Sequence, residues 1–315
     1  MTTQSETRYV RYTQGGVTSY GILEGDTIRQ LEGDLLVNPR PTGRTARVSE
    51  VTLEVPVDPS KVMKVIGIAG NYNFPDREPR VVPHPRWFAK MPSALNTHDG
   101  TVDLPPHATN FNFEGELVLI IGKQGRHISV EDAPSYVFGV TVGNDWSENT
   151  WYPERLGVQE PSRLISKSMD TWACLYHTIV AGLDYSDLDL EVRLNGDLAA
   201  KGRTKDMTTS AAKLISYLSH FMTVQPYDII YTGTVAPPSF PGIRRQMQDG
   251  DVVEVEIEKI GTLRNRVVAM KGMDNLPAFA KPDPNAIPPP GPPGGGPPGA
   301  GAPPGAPPAG APRRA

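Results

Sequence analysis

The stretch Phe113-Glu114-Gly115-Glu116-Leu117-Val118-Leu119-Ile120-Ile121-Gly122 places two closely spaced carboxylates directly before an unbroken apolar run. Five consecutive apolar residues that end at a glycine are typical of a buried β-strand. Because side chains alternate along a strand, Glu114 and Glu116 fall on the same face, about 7 Å apart along the strand. Burying two like charges beside an apolar strand costs free energy unless a proton or a cation lies between them.

Two interpretations of this spacing remain open. A hard divalent cation would relieve the repulsion, since oxygen ligands suit Mg²⁺, Mn²⁺ or Ca²⁺. A solvated strand end with two exposed glutamates would relieve it equally well, and the spacing taken alone favours this second interpretation.

Three further segments carry residues that could complete a site. Asp145 follows the apolar run Val140-Thr141-Val142, as a third oxygen ligand or as a helix N-cap. Lys167, between Ser166 and Ser168, is either a buried cation that balances carboxylates or an ordinary surface lysine. The segment Tyr231-Thr232-Gly233-Thr234 offers backbone amides and hydroxyl groups that could hold an anion, or it is a simple turn.

Composition narrows the function classes. The chain has 315 residues, and Lys+Arg 31 against Asp+Glu 35 give a net charge of −4, which argues against a nucleic-acid-binding surface. No run approaches the roughly 20 apolar residues that span a bilayer, and Met1 to Tyr12 lacks the apolar stretch of a signal peptide. The single cysteine, Cys174, excludes an intramolecular disulfide. We therefore expect a cytoplasmic protein without membrane contact.

The chain divides into three parts by composition. Residues 1–60 contain short strand-like runs separated by glycine turns and predict a small N-terminal β domain. Residues 61–272 predict a larger, strand-dominated domain. Residues 273–315 form a tail that is rich in Pro and Gly, and from Pro282 onward these two residue types make up 22 of 34 positions. Such a segment cannot bury enough apolar surface to offset its chain entropy, so we expect disorder there.

Local signals define several elements of the larger part. Asn195-Gly196 predicts a type I′ hairpin turn, because both central residues of that turn need positive φ. Apolar residues at helical spacing predict one amphipathic helix near 210–222, with Thr208 or Thr209 as its N-cap. Strand candidates are Val62–Gly67, Glu116–Ile121, Val137–Val142, Leu190–Leu194, Asp228–Thr232 and Val252–Ile257.

In their order along the chain, eight blocks resemble the fumarylacetoacetate hydrolase superfamily, from about Val62 to Val268. The blocks are Gly70-Asn71-Tyr72, Phe88 to Leu95, Phe113 to Leu117, Gly139 to Ser147, Lys167 to Thr171, Asn195-Gly196, Tyr231 to Thr234 and Gly250 to Ile257. The resemblance implies a mixed, β-rich (α+β) fold: a β-roll catalytic domain with a small leading β domain. It also implies a homodimer.

The same resemblance implies a metal enzyme. A divalent cation, Mg²⁺ or Mn²⁺, would be held by Glu114, Glu116 and Asp145, with Lys167 as the active-site lysine. Thr232, Gly233 and Thr234 would bind substrate. Family substrates are 2-oxo acids or β-diketo acids, and their reactions pass through a metal-bound enolate.

One segment departs from the family pattern. Small family members carry a His and a Glu on a short lid after the Asn-Tyr pair, and here Pro75 stands in place of the His while Glu78 aligns with the Glu. General-base activation of water would lack its histidine, which weakens hydrolysis more than decarboxylation or tautomerisation. The sequence predicts acylpyruvate-type C–C bond hydrolysis first, and a decarboxylase or a tautomerase/isomerase of 2-oxo dicarboxylates second. A binding protein without activity is the third reading.

Overall fold

The computed structural model describes residues 6–73, 84–106, 108–149, 163–235 and 245–271. In these ranges the backbone is mostly strand with few helices, so the predicted β-rich fold is confirmed. The strands are β1 (Thr7–Gln14), β2 (Val17–Glu24), β3 (Thr27–Glu32), β4 (Arg40–Arg47), β5 (Thr52–Leu53), β6 (Val65–Ala69), β7 (Arg86–Lys90), β8 (Leu95–Asn96), β9 (Thr101–Leu104), β10 (Phe111–Asn112), β11 (Gly115–Ile121), β12 (Val137–Asp145), β13 (Ser147–Glu148), β14 (Ala173–Leu175), β15 (Thr178–Ala181), β16 (Asp189–Leu194), β17 (Asp197–Arg203), β18 (Ile229–Thr234), β19 (Val252–Ile257) and β20 (Gly261–Ala269). The α-helices are α1 (Leu164–Lys167) and α2 (Ala211–Phe221).

Two large sheets organise the described part of the chain. The larger has the strand order β4-β3-β2-β1-β15-β12-β11-β18-β6-β7, with β14 and β5 pairing at its side and β8 joining through β14. The smaller has the order β17-β16-β19-β20-β9. A further two-stranded sheet joins β10 to β13. The central strands β11 and β12 of the larger sheet are antiparallel neighbours, and they carry the candidate carboxylates.

Both faces of β11 are buried, which explains why its sequence is continuously apolar rather than alternating. Leu117 and Leu119 contact the core that lies between the two sheets. Val118 and Ile120 contact a second core on the opposite face, together with Tyr231. By the two-residue period of a strand, Glu116 lies on the face of this second core.

A glycine allows the two sheets to approach each other beside the carboxylates. A Cβ at Gly115 would lie 2.5 Å from Val192 Cγ2 on β16 and 2.8 Å from Val255 Cγ1 on β19. Any side chain at this position would therefore push against branched residues of the smaller sheet.

The predicted N-terminal β domain, residues 1–60, contains β1 to β5. These strands extend the larger sheet, because β1 pairs antiparallel with β15 as well as with β2. The boundary near residue 60 stays a prediction, as does the tail from residue 273, which lies outside the described residues.

The structure tests two local predictions, the turn at Asn195-Gly196 and the N-cap of α2. Asn195 and Gly196 adopt φ of 53° and 90° between β16 and β17, so the predicted turn is confirmed. The predicted N-cap of α2 is wrong: Ser210 is the N-cap, and its side chain accepts a hydrogen bond from the Lys213 N–H. Thr208 and Thr209 are instead bonded to Asn71.

Strand β12 is longer than the sequence indicated. It continues through Asp145, because Gly143, Asn144 and Asp145 pair with Leu175, Cys174 and Ala173 of β14. Asp145 is therefore the last residue of a strand and not the N-cap of a helix. Among the described residues, no helix has the length and apolarity needed to cross a membrane.

We expect Gly115→Ala to lower the free energy of unfolding by about 1–3 kcal/mol, since the added methyl group overpacks the space between the sheets. Urea denaturation measures the loss. In a double-mutant cycle, Val192→Ala should offset part of this cost by removing the closest contacting atom. Strict additivity of the two variants would contradict the proposed contact.

Candidate functional site

The three predicted carboxylates converge in the structure. Glu114 directly precedes β11, Glu116 lies in it, and Asp145 ends the neighbouring β12. The antiparallel register pairs Gly115 with Asn144 and Glu116 with Gly143, which brings the strand ends together. One carboxylate oxygen from each of the three residues lies within 4.8 Å of the others. Glu116 and Asp145 are buried, whereas Glu114 is partly exposed.

Two lysines neutralise much of this negative charge. Lys167 Nζ lies 2.8 Å from Glu114 Oε2 and 2.8 Å from Asp145 Oδ2. Lys90 Nζ lies 2.5 Å from Asp145 Oδ1 and also donates to the carbonyl oxygens of Trp146 and Lys167. Both lysines are buried. The sequence left open whether Lys167 is a buried cation or a surface lysine, and the structure shows a buried cation.

The surroundings shift the protonation of the carboxyl groups in opposite directions. Burial, and then the charges of Asp145 and Glu114, hold the pKa of Glu116 well above its ordinary value. Burial likewise raises the pKa of Glu114. Burial alone would raise that of Asp145 too, yet Lys167 and Lys90 hold the pKa of Asp145 below its ordinary value. Burial lowers the pKa of Lys90.

The donor set fits a hard divalent cation. Three carboxylates supply oxygen ligands. When all three are ionised, as binding of a cation would require, they leave one excess negative charge against the two charged lysines. Mg²⁺ prefers about six oxygen ligands, so three protein ligands would leave positions for substrate oxygens or water. Each carboxylate oxygen has two lone pairs and can accept a hydrogen bond while it also binds a cation.

Backbone and polar groups orient the carboxylates. The Glu114 N–H donates to Asn144 Oδ1 at 2.9 Å, and the Asp145 N–H donates to the Glu114 carbonyl at 2.9 Å. Ser147 Oγ donates to Glu114 Oε1 at 3.2 Å. The Gly233 N–H donates to Glu116 Oε2 at 2.7 Å. Neighbouring strands therefore hold each side chain in place.

The predicted substrate-binding segment lies beside Glu116. Thr232 Oγ1 donates to the Leu117 carbonyl at 2.8 Å, and the Gly233 N–H donates to Glu116 Oε2. Thr234 pairs with Glu116 across the sheet, and its hydroxyl donates to the Val235 carbonyl. A role of Thr232, Gly233 and Thr234 in substrate binding stays a prediction.

The lid positions Pro75 and Glu78 lie outside the described residues. His84 follows that segment and contacts Tyr217 of α2, with ring centroids 5.9 Å apart. His98 packs against Tyr176 and His177.

Lys90 is a residue of the candidate site that the sequence did not assign. It lies on β7, 55 positions before Asp145, and an isolated lysine beside a proline-rich loop gives no sign of burial. A weak signal exists: Phe88 and Lys90 share the buried face of β7, while Trp87 and Ala89 are exposed. The alternation of buried and exposed residues along β7 therefore places Lys90 on its buried face.

We expect Glu116→Gln to weaken Mn²⁺ binding strongly, at least tenfold, because a neutral amide replaces one of three anionic ligands. Calorimetric titration measures the affinity. Glu256→Gln removes the same charge from an exposed position on β19 and serves as the matched control. Equal affinities in wild type and Glu116→Gln would exclude this metal site.

The His98–His177 pair predicts a pH effect on stability. Burial, together with the neighbouring His98, lowers the pKa of His177 to about 4, against an ordinary value near 6.5. Between these values the unfolded chain binds the proton and the folded chain does not. Stability is therefore lost as pH falls from about 6.5 to about 4, by at most about 1.4 kcal/mol per unit from this group. Urea unfolding at several pH values measures how the free energy of unfolding depends on pH. This dependence should be shallower in His177→Asn than in wild type, and equal pH dependence in the two proteins would contradict the prediction.

Comparison with known proteins identifies the family. Residues 64–268 match the family model described as Fumarylacetoacetate (FAA) hydrolase C-terminal, and residues 7–56 match the model described as Rv2993c-like, N-terminal. A mitochondrial oxaloacetate tautomerase of Homo sapiens is 35% identical over 248 residues, which cover 76% of this chain and 74% of that protein.

Solved structures agree with the sequence matches. The 5-carboxymethyl-2-hydroxymuconate delta-isomerase from Mycobacterium smegmatis has a TM-score of 0.73 at 29% identity, over 84% of this chain and 100% of that one. A maleylpyruvate hydrolase from Sphingobium has a TM-score of 0.65 at 25% identity, over 84% and 100%. The predicted family fold is thus confirmed, and the chain belongs to the fumarylacetoacetate hydrolase superfamily.

Proposed function

We propose that this chain is a divalent-metal-dependent tautomerase or isomerase of a 2-oxo acid, with Mg²⁺ or Mn²⁺ as the cation. The observation that carries the proposal is the position of Lys167 Nζ, 2.8 Å from two of the three clustered carboxylates. A proton-bearing group thus lies directly beside the carboxylate cluster.

Each residue has a definable task. Glu114, Glu116 and Asp145 would hold the cation, which when bound supplies Lewis acidity to the 2-oxo oxygen. Keto–enol interconversion moves a proton between the carbon next to the carbonyl and the oxygen. Lys167 Nζ is placed to hold a proton at that oxygen. Lys90 stays bonded to Asp145 and, together with Lys167, keeps its carboxylate ionised.

Charge favours an anionic substrate. With all three carboxylates and both lysines ionised, the cluster carries one excess negative charge, and a divalent cation would turn this into one excess positive charge. A carboxylate of a 2-oxo acid would then neutralise the site. Buried charges need such pairing to avoid a large desolvation cost.

Two observations favour proton transfer over hydrolysis as the reaction. Pro75 has no side chain able to accept a proton from water, whereas tautomerisation consumes no water. Two of the three proteins compared above are named as a tautomerase and an isomerase. This order reverses the one expected from the sequence, which placed hydrolysis first.

C–C bond hydrolysis of an acylpyruvate remains the second candidate. It is supported by the structural similarity to a protein named maleylpyruvate hydrolase, and Glu78 is a candidate base. Decarboxylation of a 2-oxo dicarboxylate also needs no water. Assembly as a homodimer and a cytoplasmic location remain proposals as well.

The test compares three reactions of the Mn²⁺-loaded protein. Loss of enol absorbance from oxaloacetate reports tautomerisation, CO₂ release reports decarboxylation, and loss of an acylpyruvate chromophore reports hydrolysis. We expect tautomerisation to be fastest and Lys167→Met to slow it about 100-fold, which is the range for a positioned proton-transfer group. Lys201→Met, a surface lysine paired with Glu191, should leave the rate unchanged.

Each other outcome selects a different function. Faster acylpyruvate cleavage would make hydrolysis the function, and Pro75→His should then accelerate it further. Tight oxalate binding without turnover of any substrate would assign a binding role. Full activity of the Lys167→Met variant would show that Lys167 takes no part in the proton transfer.

A further inference from the structure

Asn71 lies two residues after β6 and is buried with all of its side-chain hydrogen-bonding capacity in use. Its Nδ2 donates to the carbonyl oxygens of Thr232 at 2.7 Å and Thr209 at 3.0 Å. Its Oδ1 accepts from Thr208 Oγ1 at 3.0 Å and from the Thr209 N–H at 2.9 Å. An amide side chain offers two donors and two acceptor lone pairs, so none is left over.

One of these bonds acts on the candidate metal centre through a single peptide unit. The Thr232 carbonyl and the Gly233 N–H belong to the same peptide plane, and a trans peptide points them in opposite directions. Asn71 Nδ2 holds the carbonyl end of this plane, and Glu116 Oε2 accepts from the N–H end at 2.7 Å. Fixing one end of a rigid plane therefore fixes the other.

Steric contact locks the same unit. Gly233 adopts φ of +104°, a conformation that other residues rarely adopt, and a Cβ there would lie 2.7 Å from Asn71 Cβ. Asn71 thus contacts Gly233 directly as well as bonding to Thr232. This proximity involves Asn71 Cβ, which Asn71→Ala and Asn71→Asp retain, so the effect of those variants on the peptide would come from the lost hydrogen bonds.

We propose that Asn71 is a positioning residue of the metal centre: it holds the Thr232–Gly233 peptide so that the N–H engages Glu116 Oε2 and the second carboxylate oxygen is presented to the cation. This inference rests on the metal site of the proposed function. Polar groups that orient metal ligands typically contribute 10–100-fold to metal affinity.

A purely structural role makes a different prediction. Asn71 also ties Thr208 and Thr209, just before α2, to the end of β6. If that were its whole contribution, removing it would lower stability and leave the geometry at Glu116 unaffected. The test therefore needs a readout at Gly233 itself and a control of similar structural cost.

Asn265 provides the control. It is buried on β20, and its Nδ2 donates to the carbonyls of Thr97 and Gly100, both at 2.9 Å. Asn265→Ala thus also removes two buried donor bonds, but at residues that do not contact the carboxylate cluster. Asn71→Asp complements Asn71→Ala, because it keeps the acceptors and loses the donors. Its added negative charge would by itself strengthen cation binding.

The experiment has two measurements on the full chain, after thermal melts establish that each variant is folded. Amide hydrogen exchange at Gly233 in the metal-free protein should accelerate at least tenfold in both Asn71 variants and stay unchanged in Asn265→Ala. Calorimetric Mn²⁺ affinity should fall at least tenfold in both Asn71 variants and stay within twofold in the control. If Asn71→Ala does not fold, both measurements are made on Asn71→Asp alone.

Three results would overturn the inference. Wild-type exchange and affinity in the Asn71 variants would refute it and leave the proposed function standing. An equal loss of affinity in Asn265→Ala would reduce Asn71 to a general structural role. A wild-type chain that binds no Mn²⁺ would refute the proposed function and this inference together.

Discussion

Repulsion among three carboxylates in an apolar interior is the constraint on which the site depends. Glu114, Glu116 and Asp145 place oxygens within 4.8 Å of one another, and two of the three are buried. Such a cluster is stable only where cations or hydrogen-bond donors compensate it. The compensation comes from distant parts of the chain, namely Lys90 on β7, Lys167 at the end of α1 and the Gly233 amide on β18. The larger sheet contains β7 and β18, and α1 packs against β7, so the fold and the charge balance of the site are inseparable.

The same strands must also satisfy the packing between sheets. Gly115 separates the two glutamates and faces the smaller sheet, where Val192 and Val255 leave no room for a side chain. Gly143, opposite Glu116, would bring a Cβ within 2.4 Å of Val118 Cγ2 and 2.6 Å of Tyr231 Cε1. Gly115 thus permits close contact on the face opposite Glu116, whereas Gly143 permits it on the same face as Glu116. Substitution of either glycine would move the carboxylates as well as the core.

Much of this site follows from the sequence, because its central signals are local. The two-residue period of a strand predicts that Glu114 and Glu116 share a face, and the family resemblance adds Asp145 and Lys167. Lys90 could not be assigned in this way, since its partner lies 55 residues further along the chain. The N-cap of α2 was misplaced for a related reason. Thr208 and Thr209 satisfy the local capping pattern, but Asn71, 137 and 138 positions away, uses their hydrogen-bonding groups. Tertiary partners decide both cases, and a local pattern does not contain them.

The two lysines are not equivalent, and their difference bears on what the site can do. Lys90 Nζ has three acceptors, Asp145 Oδ1 and the carbonyls of Trp146 and Lys167, which match the three donors of an ammonium group. All three of its donors are hydrogen-bonded to protein groups, so Lys90 serves as a fixed counter-charge. Lys167 Nζ also has three acceptors, namely Glu114 Oε2, Asp145 Oδ2 and, at 3.5 Å, the Asp145 carbonyl, but two of them are carboxylates that would hold the cation. It lies 5.0 Å from the centroid of the Phe88 ring. Under the proposed function, those carboxylates would bind the cation, and Lys167 would then be available to a substrate oxygen. Both lysines maintain the ionisation of Asp145, and the proposed function assigns the contact with substrate to Lys167.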